Sequence, residues 1–446
     1  MLWQKVTSAA ASKNLFSITV NSVGAPGVSI SASPSTYAGI TNYTKINIPI
    51  GTSITFTAPK SPASGLDFYG WSGVNIISGE AYKGEVTLNS DKSITAFYEP
   101  ITTSYSGNVL AFNTNKVYVP YLVLPWDDSI GFAGNRFSQP TNPQPTNGRG
   151  VVFSPDGTVL IFNDSSGGAY AYRWSATGFG TKYNNSSSFS SGSNSTNDIA
   201  FHPSGNVVAR ASLISPYVQA VAWSNTNGFG SKYADPIVPP ASSANTVVWS
   251  PSGNYIAVGH DRSGVSTSVT VYPWSASTGF GAKYSNPSTI PSGSVIGVAF
   301  NPTETAIAVA HTNAPYISVY AWSASGFGSK YSNPATLPNS AGRHVAFHPS
   351  GNSIVVAVSS APGVFAYPWS DSTGFGTKYA DPYPSIGLVD SLSFTGSGAA
   401  LAISGTASGS SSGAAVYSWS NSTGFGAKYS DPSNPIPAVG GLKFKG

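Results

Sequence analysis

Tyr320-Ala321-Trp322-Ser323-Ala324-Ser325-Gly326-Phe327-Gly328-Ser329-Lys330-Tyr331-Ser332-Asn333-Pro334 is the stretch on which the fold turns. An apolar strand ends on a tryptophan, a short polar turn leads into Gly-Phe-Gly, and an Asx-Pro pair stops the strand that follows. Working outward, the same tryptophan recurs at 126, 174, 223, 274, 322, 369 and 419, at spacings of 48, 49, 51, 48, 47 and 50. The last six are followed by Gly178 to Tyr183, Gly228 to Tyr233, Gly279 to Tyr284, Gly326 to Tyr331, Gly374 to Tyr379 and Gly424 to Tyr429. The first copy is degenerate, running from Gly131-Phe132 to Arg136-Phe137. Two more strand signals precede each tryptophan, as in Val345-Ala346-Phe347-His348-Pro349-Ser350-Gly351-Asn352 and then Ile354 to Val358. A period near fifty with four strands per copy predicts propeller blades, because one four-stranded sheet buries both faces only when neighbours stack on it.

Composition agrees with an all-β chain. Aromatic residues are 13% and charged residues only 9% of 446, while Gly 48 and Pro 33 supply turns. The net charge of +4 is too small for a dedicated nucleic-acid binder. No apolar run approaches the ~20 residues of a membrane helix, so neither membrane insertion nor a nucleic-acid partner is expected. Zero cysteines removes disulfides and thiol chemistry. Residues 1 to 13 lack the apolar core of a secretory peptide, and no export signal is expected.

Residues 16 to 100 carry period-two runs, among them Ile18 and Val20, Ile46, Ile48 and Ile50, and Ile94, Ala96 and Tyr98, which predict half-buried strands. With Phe68-Tyr69-Gly70-Trp71-Ser72-Gly73 and Asp91 to Tyr98, this segment resembles the divergent internalin B-repeat modules of bacterial surface proteins, and the resemblance implies a spacer or docking domain. The expected organisation is an arm at 1–15, a small β domain at 16–100, and a seven-bladed β-propeller at 101–446. The first blade, starting at Ser106-Gly107-Asn108, lacks an inner strand, and Gly441 to Lys445 has the inner-strand pattern. The C-terminal strand is therefore expected to close the ring.

The Pro-Ser-Gly-Asn turns at 203–206, 251–254 and 349–352 resemble those of the WD-repeat superfamily, although its Gly-His pair does not recur from repeat to repeat. The Trp-Ser…Gly-Phe-Gly-x-Lys-Tyr copies are most similar to propeller proteins of tailed bacteriophages. That resemblance implies a non-enzymatic virion structural protein, such as a capsid decoration or fibre-like appendage. Residues 1–100 would attach to other capsid or tail proteins, and the propeller would be displayed for host attachment, including to surface glycans. The alternatives are a carbohydrate-binding adhesin on a bacterial surface and, third, a sialidase-like glycosidase, whose Ser-x-Asp-x-Gly box this sequence lacks.

Because the tryptophans and Gly-Phe-Gly aromatics recur in every copy, they read as packing rather than as a stacking platform for a ligand. Lys182, Lys232, Lys283, Lys330, Lys378 and Lys428, with Arg136, share one register on the outer strands, where lysine protects an edge or attracts an acidic surface. Asp235, Asp381 and Asp431 follow them, but Asn286 and Asn333 in the same place argue against calcium. No metal or cofactor is expected. His202 and His348 sit in equivalent turns and read as structural. Candidate ligand-binding residues are Asp164, Arg210, His260, Asp261, Arg262, His311 and Arg343, polar groups on loops and strand ends at one face.

Overall fold

The computed structural model describes residues 15–77, 82–114, 121–140, 148–164, 168–184, 189, 196–262, 264, 267–405, 412–437 and 439–445. Most of the expected N-terminal arm, residues 1–14, lies outside the described residues. The chain packs as two compact units that meet in sequence at Ile101 and Thr102. Among the described residues, no helix is long and apolar enough to cross a membrane.

In the first unit, Leu15–Val23 lies between Tyr43–Pro49 and Lys92–Pro100, and Leu66–Ser72 completes that sheet. A second sheet orders Gly39–Ile40, Ser29–Ser33, Ser53–Thr57, Lys83–Thr87 and Asn75–Ile76. Alternation buries Ile18, Val20, Ile54, Phe56, Ile94 and Ala96. The Ile46-Ile48-Ile50 series departs from its expected common face: Ile48 is buried, but Ile46 is 68% exposed and Ile50 53%. Asn47 has φ 59°, and pairing to the first strand jumps from Phe16–Ile48 to Ile18–Lys45. The extra residue of this bulge turns Ile46 outward.

The second unit is a β-propeller. Its described residues form seven four-stranded antiparallel sheets, exemplified by Gly342–Phe347, Ser353–Val358, Val364–Ser370 and Gly374–Phe375. Second strands such as Ser353–Val358 and Ala306–His311 are buried along their whole length. Their sequences are accordingly continuous apolar runs rather than alternating ones, because sheets cover both faces. One sheet takes strands from both ends of the unit: Val439–Phe444 pairs antiparallel with Asn108–Thr114, placing Leu110 opposite Phe444 and Phe112 opposite Leu442.

The repeated residues form the joint between sheets. Trp322 meets Phe327 of its own sheet edge-on at 5.1 Å, and Tyr331 meets Trp369 of the next at 4.9 Å. The contact recurs as Phe137–Trp174, Tyr183–Trp223, Tyr233–Trp274 and Tyr284–Trp322, and Tyr429 returns to Trp126 at 4.9 Å. Such aromatic pairs contribute ~0.5–1.5 kcal/mol each beyond area burial. The tyrosine hydroxyls also donate across the joint, Tyr183 to the Asn225 carbonyl at 2.7 Å and Tyr331 to that of Asp371 at 2.8 Å. Gly228, with φ +80°, shows why glycine opens Gly-Phe-Gly: a Cβ there would sit 2.9 Å from the Tyr183 ring.

Candidate functional site

The outer-strand cations are consumed locally. Lys232 pairs with Asp235 at 2.7 Å and Lys428 with Asp431 at 2.6 Å, Lys283 donates to Asn286 at 2.6 Å, and Lys330 and Lys378 donate to Asn333 and Asp381. Lys182 lies over the Tyr170 ring, and Arg136 is buried and donates to the Phe137 carbonyl. The register is a turn clamp, in which lysine holds the Asx that ends its strand. Among the described residues no group of three or more His, Asp or Glu is placed to hold a metal.

Four of the seven candidate residues are tied up in the scaffold or fall short of description. Arg210 is buried, donates to Gln219 Oε1 at 2.8 and 3.0 Å and to the Phe189 carbonyl, and covers the Phe189 ring. Burial lowers its guanidinium pKa to about 10. His260 contacts the Asp261 carbonyl at 3.0 Å and Thr270 Oγ1 at 3.2 Å; His311 contacts the Asn313 carbonyl at 2.8 Å and Ser318 Oγ at 3.1 Å. Both are buried, which lowers their pKa values, that of His311 to about 4. Asp164 ends the strand Val159–Asp164, and its side chain lies outside the described residues.

The other three make part-exposed contacts. Asp261 accepts from Asn245 Nδ2 at 3.0 Å, and Arg262 donates to the Pro291 carbonyl at 2.6 Å. Arg343 pairs with Asp390 at 2.6 Å, and of the seven it alone lines the cavity that runs along the inner strands.

That cavity, about 1050 Å³, is the candidate site. Aligning the inner strands on their terminal aromatic residue explains its lining. The position before that residue holds Val152, Ala200, Val248, Ala299, Ala346 and Ser393, and in the C-terminal strand Lys443. Two positions earlier stand Asp198, Thr246, His344 and Ser391, with glycines at 150, 297 and 441. Gly297 is needed for close approach, because a Cβ there would lie 2.8 Å from His344 Cα. One strand thus sets a lone cation in a ring of small residues, and others set a carboxylate and an imidazole a step along the channel.

Asp198 is held firmly. Thr246 Oγ1 and Val247 N donate to its Oδ2 at 2.8 and 3.1 Å, and Ile199 N to its Oδ1 at 2.8 Å. Burial raises its pKa above the usual carboxylate range, opposed by those donors and by the charge of Lys443. His344, half-buried, is pushed down to about 4 by burial and then by Lys443, so its ring is neutral at pH 7. Its Nδ1 atom is buried and meets no hydrogen-bond partner among the described residues. The side chain of Lys443 is exposed to the channel; the protein around it lowers its pKa, and Asp198 pulls it back. Lys443 therefore acts on the charge of both Asp198 and His344. None of the three stands out in sequence, because each lies in a strand whose pattern is that of a packing strand. The available signal was the register itself, in which lysine replaces alanine, valine or serine.

No protein-family model matches the chain, and no curated protein matches it. Solved structures do share its fold. A Bacteroides fragilis protein described provisionally as a 6-phosphogluconolactonase aligns with TM-score 0.59 and 11% identity over 78% of this chain and 99% of its own. The periplasmic gluconolactonase PpgL of Pseudomonas aeruginosa aligns with TM-score 0.58 and 14% identity, over 76% and 98%. A Desulfotomaculum acetoxidans protein of unknown function gives 0.53 and 15%, over 76% and 98%. At such identity the likeness shows the β-propeller fold alone.

These neighbours correct two expectations. The repeats point to a non-enzymatic virion structural protein of phage type, yet propellers sharing the fold bear lactonase names, which overturns that expectation. The repeated Trp and Gly-Phe-Gly strings that carried the phage resemblance are blade joints, and a joint records how sheets stack rather than where the protein works. WD-repeat identity likewise has no support beyond the propeller itself.

Proposed function

We propose that the channel is a hydrolase site for cyclic esters of the sugar-lactone kind. The observation that carries this reading is the cluster of Asp198, His344 and Lys443 inside a cavity whose other charged groups, Arg343 and Asp390, are paired with each other. A carboxylate whose proton affinity is raised by burial is a better base than one in water. Asp198 takes a proton from a water molecule as that water's oxygen bonds to the lactone carbonyl carbon. The charge gathering on the carbonyl oxygen is met by Lys443. The ring C–O bond then breaks, the departing oxygen takes up the proton held by Asp198, and a hydroxy acid leaves. The lactonase names of fold neighbours support the choice of ester over other substrates.

The test is hydrolysis of D-glucono-δ-lactone above its spontaneous rate, followed by pH-stat. Asp198→Asn is expected to reduce any enzymatic rate by about 10²-fold or more. A wild-type rate equal to the uncatalysed one overturns the reading, as does an Asp198→Asn variant of full activity. We propose likewise that the propeller is a seven-bladed ring closed by Val439–Phe444 and preceded by a β module at 16–100, which the Leu110–Phe444 pairing and the Tyr429–Trp126 contact support for closure.

A further inference from the structure

We infer that Lys443 seats a carboxylate, so that the channel takes a singly charged, unphosphorylated hydroxy acid; this rests on the hydrolase reading in taking the ligand to be a ring-opened product. The outer-strand lysines 232, 283, 330, 378 and 428 each end on the Asp or Asn three residues on. Lys443 differs. Among the described residues it has no carboxylate within 4 Å and no hydrogen-bond acceptor, and it faces a cavity rather than the outer rim. Its walls at that level are Val152, Ala200, Val248, Ala299, Ala346 and Ser393, which offer one hydroxyl and no counter-charge. An ammonium so placed gains most from an anion with which it makes a charge-assisted hydrogen bond.

The charge count of the lining sets which anion. Its formal cations are Arg343 and Lys443, its anions Asp198 and Asp390, and His344 is neutral at pH 7. Arg343 is spent on Asp390 through two hydrogen bonds, at 2.6 and 2.9 Å. Asp198 is close enough for its charge to be felt by Lys443 but is engaged by Thr246, Val247 and Ile199. One cation is left for a ligand, with a carboxylate beside it. A carboxylate of one charge matches that seat. A phosphate of about −1.5 to −2 charge needs further cations or a cradle of N–H donors, and meets repulsion from Asp198.

Calorimetric titration of the full chain tests this with D-gluconate, neutral D-glucitol and 6-phospho-D-gluconate as probes, on wild type, Lys443→Met and Lys443→Arg. Gluconate is expected to bind at least about tenfold tighter than glucitol, the scale of one charge-assisted contact, with 6-phosphogluconate no tighter than gluconate. Lys443→Met should bring gluconate down to the glucitol level, and Lys443→Arg should retain most of the preference. Equal binding of gluconate and glucitol overturns the inference, as do no gluconate binding, markedly tighter 6-phosphogluconate, and indifference to Lys443→Met. The two proposals fail separately. Lactone turnover with gluconate binding unaffected by Lys443→Met sinks only the carboxylate seat, whereas Lys443-dependent gluconate binding without turnover upholds the seat and sinks hydrolysis.

Discussion

Adding an acceptor two residues after Trp274 and Trp322 should stabilise the propeller. In four sheets the indole N–H of the repeated tryptophan donates to such a residue: Trp126 to Asp128 at 2.7 Å, Trp223 to Asn225 and Trp369 to Asp371 at 2.8 Å, and Trp419 to Asn421 at 3.1 Å. Ala276 and Ala324 occupy that position after Trp274 and Trp322, whose buried Nε1 atoms have no hydrogen-bond partner among the described residues. The turn is looser there too. Tyr233 and Tyr284 reach the Ala276 and Ala324 carbonyls at 3.2 Å, against 2.7 and 2.8 Å for Tyr183 and Tyr331 on Asn225 and Asp371.

A buried N–H without a partner costs ~1–3 kcal/mol, and a new hydrogen bond returns a net ~1 kcal/mol once rotamer entropy is subtracted. Both alanines are exposed, so the asparagine side chain enters without displacing the core. Ala276→Asn and Ala324→Asn are therefore expected to add about 1 kcal/mol each, and about 2 together because the two indoles share no partner. At ~2.1 cal/mol/K per residue over Thr102–Gly446, this raises Tm by about 3 °C in the double variant, readable by calorimetry. Asn225→Ala is the reverse control. It orphans Trp223 and removes the 2.7 Å contact from Asn225 Nδ2 to Asp156, and should cost at least as much as one gain. Unchanged or lowered Tm in both single variants would refute the reasoning.

Other expectations follow from the same contacts. Truncation after Pro437 removes Leu442 and Phe444, both buried, whose burial contributes ~1.5–3 kcal/mol each, and bares the edge of Asn108–Thr114; melting and soluble yield should fall, and parent-like values would show that closure depends on something else. Gly264→Ala adds only the left-handed strain at φ +69°, about 1–2 kcal/mol, whereas Gly228→Ala also drives a methyl into Tyr183, so its loss in denaturant titration should be the larger. His311 titrates at about 4 when folded and near 6.5 when unfolded; the unfolded chain takes up the proton first, so this stabilisation, about 3 kcal/mol, is whole above pH 6.5 and lost as pH falls toward 4. His311→Asn should therefore narrow its stability gap to wild type across that window, and a gap independent of pH would exclude the linkage.

The repeat period alone was enough to identify a propeller, because stacking requires every blade to present the same tryptophan, glycine and tyrosine to its neighbour, and a requirement met at every joint leaves a periodic trace. The same periodicity concealed the site. Arg210, His260 and His311 stand out in sequence as polar residues in or ending apolar strands, yet second strands are covered on both faces, so these groups face inward and bond to the scaffold. Asp198, His344 and Lys443 are far apart in the chain and lie on three inner strands. Only the packing of those strands beside one another makes them line one cavity. Their identity could be read from the chain, but their convergence depends on the tertiary structure, since it arises from contacts between blades rather than from any pattern within one.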